Sequence, residues 1–449
     1  MIPDRWRQGI VAVVGLGQSG IAATKLLARH GVRVYASDGS DHPYGGDAVA
    51  ELRGLRDVAV DVGTHDLRKI RSAVGMVVSP GVPPDAPPVA AARDAGVDIV
   101  SELDLGFRAL GDVRVIAVTG TNGKTTTTAM VAHLLRVAGL KATVAGNIGR
   151  PLSDIAVSGD RYQWLAVEVS SFQLHDSPSF APEIGVLTNL APDHLDRYPS
   201  VEAYYGDKRL LFRNAGDDSV WVLNADDPAV QELARGAKGA RAQFALRWPA
   251  EAWFDAGGRR LMLGGAALLA RDDLHLLGDH NVANALAAAL AAHEAGVAPG
   301  PIGEGLRSFR ALPHRLEPIR DVQGVRWIND SKATNVASTT VAVEAMDRPF
   351  VLLLGGRHKG EPYTRLGPLL AKRCRLVVAY GEAGPLIAQD LEGVMPIERG
   401  TTFDDVVARA RRAARPGDTV LLSPACSSYD MFKNYEERGA TFRAIVEAM

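Results

Sequence analysis

Cysteine is almost absent from this sequence. Two in 449 residues, Cys374 and Cys426, are too few for a disulfide framework and lack zinc spacing. An excess of one charge is missing too. The formal net charge is −2, so no bulk basic field gathers nucleic acid or acidic lipid. The longest apolar runs are strand-sized, which argues against insertion in a membrane. The start, Met1 to Arg7, is slightly basic, but the run after it is broken by Gly15, Gly17 and Gly20. It reads as fold and not as a signal peptide. No repeat or low-complexity tract stands out beyond an alanine-rich helix near residues 283–295. What is left is an ordinary globular composition, 47% hydrophobic and 23% charged. A cytoplasmic protein of roughly three domains is expected.

Against that plain background one stretch carries chemistry: Thr119-Gly120-Thr121-Asn122-Gly123-Lys124-Thr125-Thr126. It follows an apolar run at 115–118, read as a strand, and precedes helical spacing over 127–140. Strand, glycine loop, Gly-Lys-Thr and helix form the layout of a phosphate-binding loop. Free amides and the helix dipole face the loop, and the glycines let the backbone wrap a phosphate. Lys124 can reach outer phosphates, and the Thr125 hydroxyl can bind Mg²⁺. The usual glycine six residues before the lysine is replaced by Val118. A tight turn without ligand is the bland alternative.

The first hundred residues hold a second glycine loop. Gly15-Leu16-Gly17-Gln18-Ser19-Gly20 lies between expected strands at 11–14 and 32–36, with Asp38 about twenty residues on. Taken alone, this would suggest NAD, yet the same geometry serves any diphosphate. A further strand at 76–78 ends in Ser79-Pro80-Gly81, βα alternation continues to residue 100, and a boundary near 103 is expected.

In the middle, the apolar run 165–169 contains Glu168. A carboxylate there is costly unless paired or metal-bound, so a magnesium ligand or an ion pair is expected. A strand at 184–190 ends at Thr188-Asn189, followed by Asp193, His194 and Asp196, where α/β sites collect ligands. Ser200 can cap a helix over 201–211 that carries Lys208. By composition alone Lys208 is a solvated helix lysine, and His194 an ordinary polar loop residue. Expected strands at 325–328, 351–354, 376–379 and 419–422 alternate with helical stretches such as 403–414, as in a doubly wound parallel domain.

Residues Thr119–Thr126, Glu168–Leu174, Asn189 with Asp193–Tyr198, and Asp207-Lys208 resemble, in order and spacing, the Mur ligases. These are the ATP-dependent amide-forming enzymes of peptidoglycan precursor synthesis. Asn224–Asp227, Gly278–Asn281, Pro313–Arg315, Asn329–Asn335, Gly355–Gly360 and Ser423–Ser428 extend the resemblance over essentially the whole chain. Trp327–Asn335 and the tail Ser423–Ser428 with Phe432–Glu436 are similar to the member that joins D-glutamate to UDP-N-acetylmuramoyl-L-alanine.

The resemblance implies an α/β fold of three domains: residues 1–103 Rossmann-like for the UDP-sugar, 104–311 a P-loop ATPase-type parallel sheet, and 312–449 a Rossmann-like doubly wound sheet completing the amino-acid site. It assigns Gln18, Ser19, Asp38, Gly39, Ser40, Gly81 and Asn147 to the UDP-sugar. ATP falls to Gly120, Thr121, Asn122, Gly123, Lys124, Thr125 and Thr126, with Asn281, Arg315 and Asp330. Two Mg²⁺ ions fall to Thr125 with Glu168 and to His194 with Lys208, the latter as a carbamate formed from CO₂. Lys124, Glu168, His194 and Lys208 are the catalytic set, with His194 as a base the alternative to metal ligation. D-Glutamate falls to Lys332, Thr334, Lys359, Ser428 and Tyr435, where close relatives carry phenylalanine at the last position. A monomer acting on small molecules, without nucleic acid, is expected, with a hinge near 311–313 and domain closure. The readings left open are a sister ligase with another amino acid, folylpolyglutamate synthase, and a nucleotide-gated binding protein.

Overall fold

Short runs of valine, isoleucine and leucine set the strands, since branched side chains pack well on a pleated surface. The computed structural model describes residues 2–41, 46–195 and 197–449, so Asp196 lies outside the described residues. Its chain divides into two compact units, Met1–Asp273 with Ala283–Ser308, and Leu274–Val282 with Phe309–Met449.

The first unit holds two sheets. One contains β1 (Ile10–Val14), β2 (Arg33–Asp38), β3 (Val58–Val62), β4 (Gly75–Val78) and β5 (Ile99–Ser101) in the order β3-β2-β1-β4-β5, all parallel. Alternate residues of β1 enter opposite cores: Val11 and Val13 pack with Leu26 and Leu27, Ala12 and Val14 with Tyr35 and Ile70. The other sheet contains β6 (Arg114–Thr119), β7 (Ala142–Gly146), β8 (Trp164–Glu168), β9 (Ile184–Leu187), β10 (Val220–Asn224), β11 (Ala240–Ala245), β12 (Ala252–Asp255), β13 (Arg260–Leu263) and β14 (Ala266–Ala270). Its order is β14-β13-β12-β11-β10-β9-β6-β8-β7. The chain after β6 leaves between β9 and β8, where the strand order reverses and α/β sheets bind ligands. Strands β13 and β14 form an antiparallel edge that the sequence reading did not single out.

Helix Glu102–Ala109 in this unit begins with a buried acid. Glu102 Oε1 accepts from the Ser153 amide at 2.7 Å, Oε2 has no partner among the described residues, and burial raises the carboxyl pKa to about 7.

The second unit is built on β15 (Glu317–Val322), β16 (Val325–Asn329), β17 (Phe350–Gly355), β18 (Cys374–Tyr380), β19 (Ile397–Arg399) and β20 (Thr419–Leu422). The order is β15-β16-β20-β17-β18-β19, parallel except for the antiparallel edge strand β15. Leu352 and Leu354 enter one core, Val351 and Leu353 the other. Both thiols lie in this unit and are held protonated. Burial pushes Cys426 up to about 11 and Cys374 up to about 12, and the Cys426 Sγ lies 2.9 Å from the Tyr363 hydroxyl. No helix among the described residues is long and apolar enough to cross a membrane.

Candidate active site

The phosphate loop starts where β6 ends. Gly123, at φ +82°, opens the helix Lys124–Val137, earlier than the 127–140 periodicity suggests, and Gly139 at φ +82° follows its end. A Cβ at Gly120 would collide with the Thr188 hydroxyl, and one at Gly123 with the Asn284 amide. Val118 needs no glycine because it is still strand, paired with Glu168 of β8 and Val186 of β9. Strand β9 stops at Leu187, short of the expected 190, because the next two residues brace the loop. Thr188 Oγ1 donates to the Asn122 carbonyl at 2.7 Å. The Asn189 side chain accepts from the Asn122 amide at 2.9 Å and donates to the Asn122 carbonyl at 3.0 Å. The loop is therefore held open by its neighbours, with the hydroxyls of Thr125 and Thr126 at the helix start.

Two lysines converge on one loop carbonyl. Lys124 Nζ donates to the Gly120 carbonyl at 3.1 Å and to Thr121 at 2.8 Å. Lys208 Nζ, from the helix Val201–Arg209, donates to the same Gly120 carbonyl at 2.7 Å. Lys208 is 1% exposed, so the sequence impression of a solvated lysine is wrong. Burial, then the charge of Lys124, drives its pKa well below the ordinary lysine value, against the opposing pull of Asp193, Glu168 and Asp207. Its Nζ lies 4.7 Å from the Tyr204 ring centre, and His194 meets that ring edge-on at 5.9 Å. His194 itself sits at φ +53°, half-exposed, with Nε2 3.7 Å from Asp193.

Glu168 ends β8 and is 2% exposed. Among the described residues no cation forms an ion pair with it; Oε1 accepts from the Asn147 side chain at 2.8 Å and Oε2 has no partner. An orphaned buried carboxylate oxygen suits a hard cation that takes oxygen ligands. Among the described residues no three His, Cys, Asp or Glu side chains gather as a preformed metal site. The Glu168 carboxylate and the loop hydroxyls of Thr125 and Thr126 are oxygen donors of the kind Mg²⁺ takes. The residues present fit Mg²⁺ on those terms.

The Gly15–Gly20 loop is stitched from below. Asp38 accepts from the Leu16 amide at 2.6 Å and the Ser40 amide at 2.8 Å, and Ser79 Oγ donates to the Gly15 carbonyl at 2.8 Å. Gln18, Gly39, Ser40 and Gly81 are exposed and Ser19 half-buried. Nearby is a cavity of about 160 Å³ lined by Ser79, Pro80, Phe172, Gln173, Tyr198 and Asp207 among others. Gln173 is 1% exposed and its Nε2 has no partner among the described residues, although its oxygen closes a capping box with Ser170. The sequence reading quoted Gln173 in a motif without giving it a role; an unpaired amide donor shows only in three dimensions.

In the second unit Lys332 Nζ donates to the Tyr435 hydroxyl at 2.7 Å and also lies 4.2 Å from that ring's centre. Asp330 is buried, accepts from Ser423 Oγ at 2.8 Å and the Leu316 amide at 3.1 Å, and is pushed by burial up to about 7. Ser428 is buried, Thr334 and Arg315 are half-buried, and Lys359 is exposed. Asn281 donates to the Leu277 carbonyl at 2.8 Å. Arg438 was missed. This fully buried guanidinium, on the helix Tyr435–Glu447, bonds Ser331 and the Cys426 carbonyl, tying together the two loops that carry Lys332 and Ser428. An arginine inside a helix gives no signal of this in sequence.

Comparison with known proteins decides the family. The Mur ligase MurD-like N-terminal domain matches residues 9–101, the Mur ligase middle domain residues 118–292, and the Mur ligase glutamate ligase domain residues 314–426. The chain is 42% identical over 466 residues to the UDP-N-acetylmuramoylalanine–D-glutamate ligase of Salinibacter ruber, covering 100% of both chains. The enzyme of the same name from Myxococcus xanthus is 41% identical, covering 98% of each. The chain belongs to the Mur ligase family. Among solved Mur ligases, the UDP-N-acetylmuramate-alanine ligase of Thermotoga maritima shares the fold, with TM-score 0.63 and 20% identity over 98% of this chain and 99% of that one.

Proposed function

We propose that this Mur ligase joins D-glutamate to UDP-N-acetylmuramoyl-L-alanine at the expense of ATP, giving ADP and phosphate. The observation that carries the reading is the buried Lys208, which shares the Gly120 carbonyl with Lys124 on the phosphate loop. Full-length likeness to relatives named for this reaction supports the choice of amino acid.

A carboxylate resists amines because oxide is a poor leaving group. Phosphorylation of the alanyl carboxylate by ATP gives an acyl phosphate, and the D-glutamate amine then attacks its carbonyl as phosphate departs. Loop amides from Gly120 to Thr126 and the Lys124 ammonium hold the phosphates and offset charge. Thr125 and Glu168 would hold one Mg²⁺, and His194 with Lys208 a second. Bound Mg²⁺ supplies electrophilic stabilisation of the anionic oxygens. Burial favours the neutral amine of Lys208, the form that can add to CO₂. The nitrogen lone pair forms an N–C bond, a C=O pair moves to oxygen, and a proton leaves to solvent. A carbamate anion replaces an amine, so a ligand stands where an ammonium would repel the metal.

The Gly15–Gly20 loop with Asp38, Ser40, Gly81 and Asn147 would take the UDP-sugar, and the unpaired Gln173 amide would meet a sugar carbonyl. Asn281, Arg315 and Asp330 would serve the nucleotide; Lys332, Thr334, Lys359, Ser428 and Tyr435 the D-glutamate. We place the domain junctions near residues 103 and 311, and expect a cytoplasmic monomer. The test is phosphate release from ATP with Mg²⁺ and bicarbonate. It should require both the muramoyl substrate and D-glutamate. Release with L-alanine or a diamino acid in place of D-glutamate overturns the assignment.

A further inference from the structure

Asp207 precedes Lys208, and an acid beside that lysine reads at first as another metal ligand. Both its oxygens are already committed. Oδ1 accepts from His175 Nδ1 at 2.8 Å, and Oδ2 accepts from the Tyr198 hydroxyl at 2.9 Å. His175 ends the helix Ser171–His175, and Tyr198 lies in the loop that carries His194. The Tyr198 ring stacks on Phe172 of that short helix, 5.3 Å between centres at 14°. His194 meets the other side of the problem, packing edge-on against the same Phe172 at 5.3 Å. Only 16% of the Asp207 side chain is exposed, so these bonds act in a medium that strengthens them.

The geometry points to Asp207 as a positioning residue that, through His175 and Tyr198, fixes the Lys208 helix against the segment carrying His194. This rests on the reading of Lys208 as a carbamylated ligand. Magnesium demands near-ideal octahedral geometry, so two ligands from different segments serve it only if those segments keep a fixed spacing. Asp207 supplies the spacing without touching the ion. It acts on Lys208 through the helix and on His194 through Tyr198 and Phe172.

The test uses the full chain with ¹³C-labelled bicarbonate. The carbamyl carbon is followed by NMR as bicarbonate and Mg²⁺ are varied, alongside kcat and each KM. Asp207→Ala should raise the Mg²⁺ needed for half-maximal activity by about tenfold or more, as loss of supporting groups does at other metal sites. It should also raise the bicarbonate needed for half-maximal carbamyl signal. Tyr198→Phe keeps the ring stack and removes one bond; it should shift both in the same direction by less, and it decides alone if Asp207→Ala does not fold. Unchanged carbamyl and Mg²⁺ titrations in these variants overturn the positioning role and leave Lys208 untouched. No carbamyl signal in the wild-type protein overturns both readings.

Discussion

Lys208 shows what a single residue's surroundings can do. An ammonium removed from water and placed near Lys124 is disfavoured twice over, against the pull of Asp193, Glu168 and Asp207, and its pKa lies well below the ordinary lysine value. Lys208→Ala should lose nearly all activity, and small carboxylates in the buffer should partly restore it by occupying the vacated anionic position; full activity without rescue would end the carbamate reading. Glu168 was readable from sequence, because a charge inside an apolar strand demands an explanation. Lys208 was not readable by composition, and only the order of motifs drew notice to it. Asp207 and Gln173 stand in the motifs without a role of their own, and Arg438 drew no notice, for a shared reason. Their roles depend on partners across the fold or on the lack of one, and pattern along the chain carries neither.

Among the elements, the β6 loop is the best example of a motif kept in shape from outside. Its own glycines permit the wrap, but Thr188 and Asn189 at the end of β9 hold it. Asn189→Ala removes two bonds to Asn122, worth about 1–2 kcal/mol together. The KM for ATP should rise roughly five- to thirtyfold with a smaller change in the KM for D-glutamate, measured by phosphate release. Parallel strands such as β1, β6 and β17 were legible because both their faces are buried and they read as apolar runs, whereas β10 and β11 drew no notice. The edge strands β13, β14 and β15 were not, since short half-exposed segments such as Glu317–Val322 alternate too weakly to stand out.

For the molecule as a whole, three α/β sheets follow from the sequence, and the family follows from the motif order. The glycine fingerprint near the start is ambiguous on its own, because a loop that suits any diphosphate says nothing of what is attached to it. Global stability should carry a pH signature. Glu102 and Asp330 are both raised to about 7 by burial. Between the unfolded carboxylate pKa and about 7 the folded chain binds more protons than the unfolded one, so stability falls as pH rises through that window. Glu102→Gln should remove about 1–3 kcal/mol of this fall across the window, seen as a Tm less sensitive to pH.

The two thiols have a consequence for how long the protein lasts. Thiolate is the species that peroxide and electrophiles attack, and burial holds Cys374 and Cys426 at about 12 and about 11. Both thiols should therefore react slowly with alkylating reagents in the folded chain and quickly after unfolding, as mass spectrometry after iodoacetamide treatment would show.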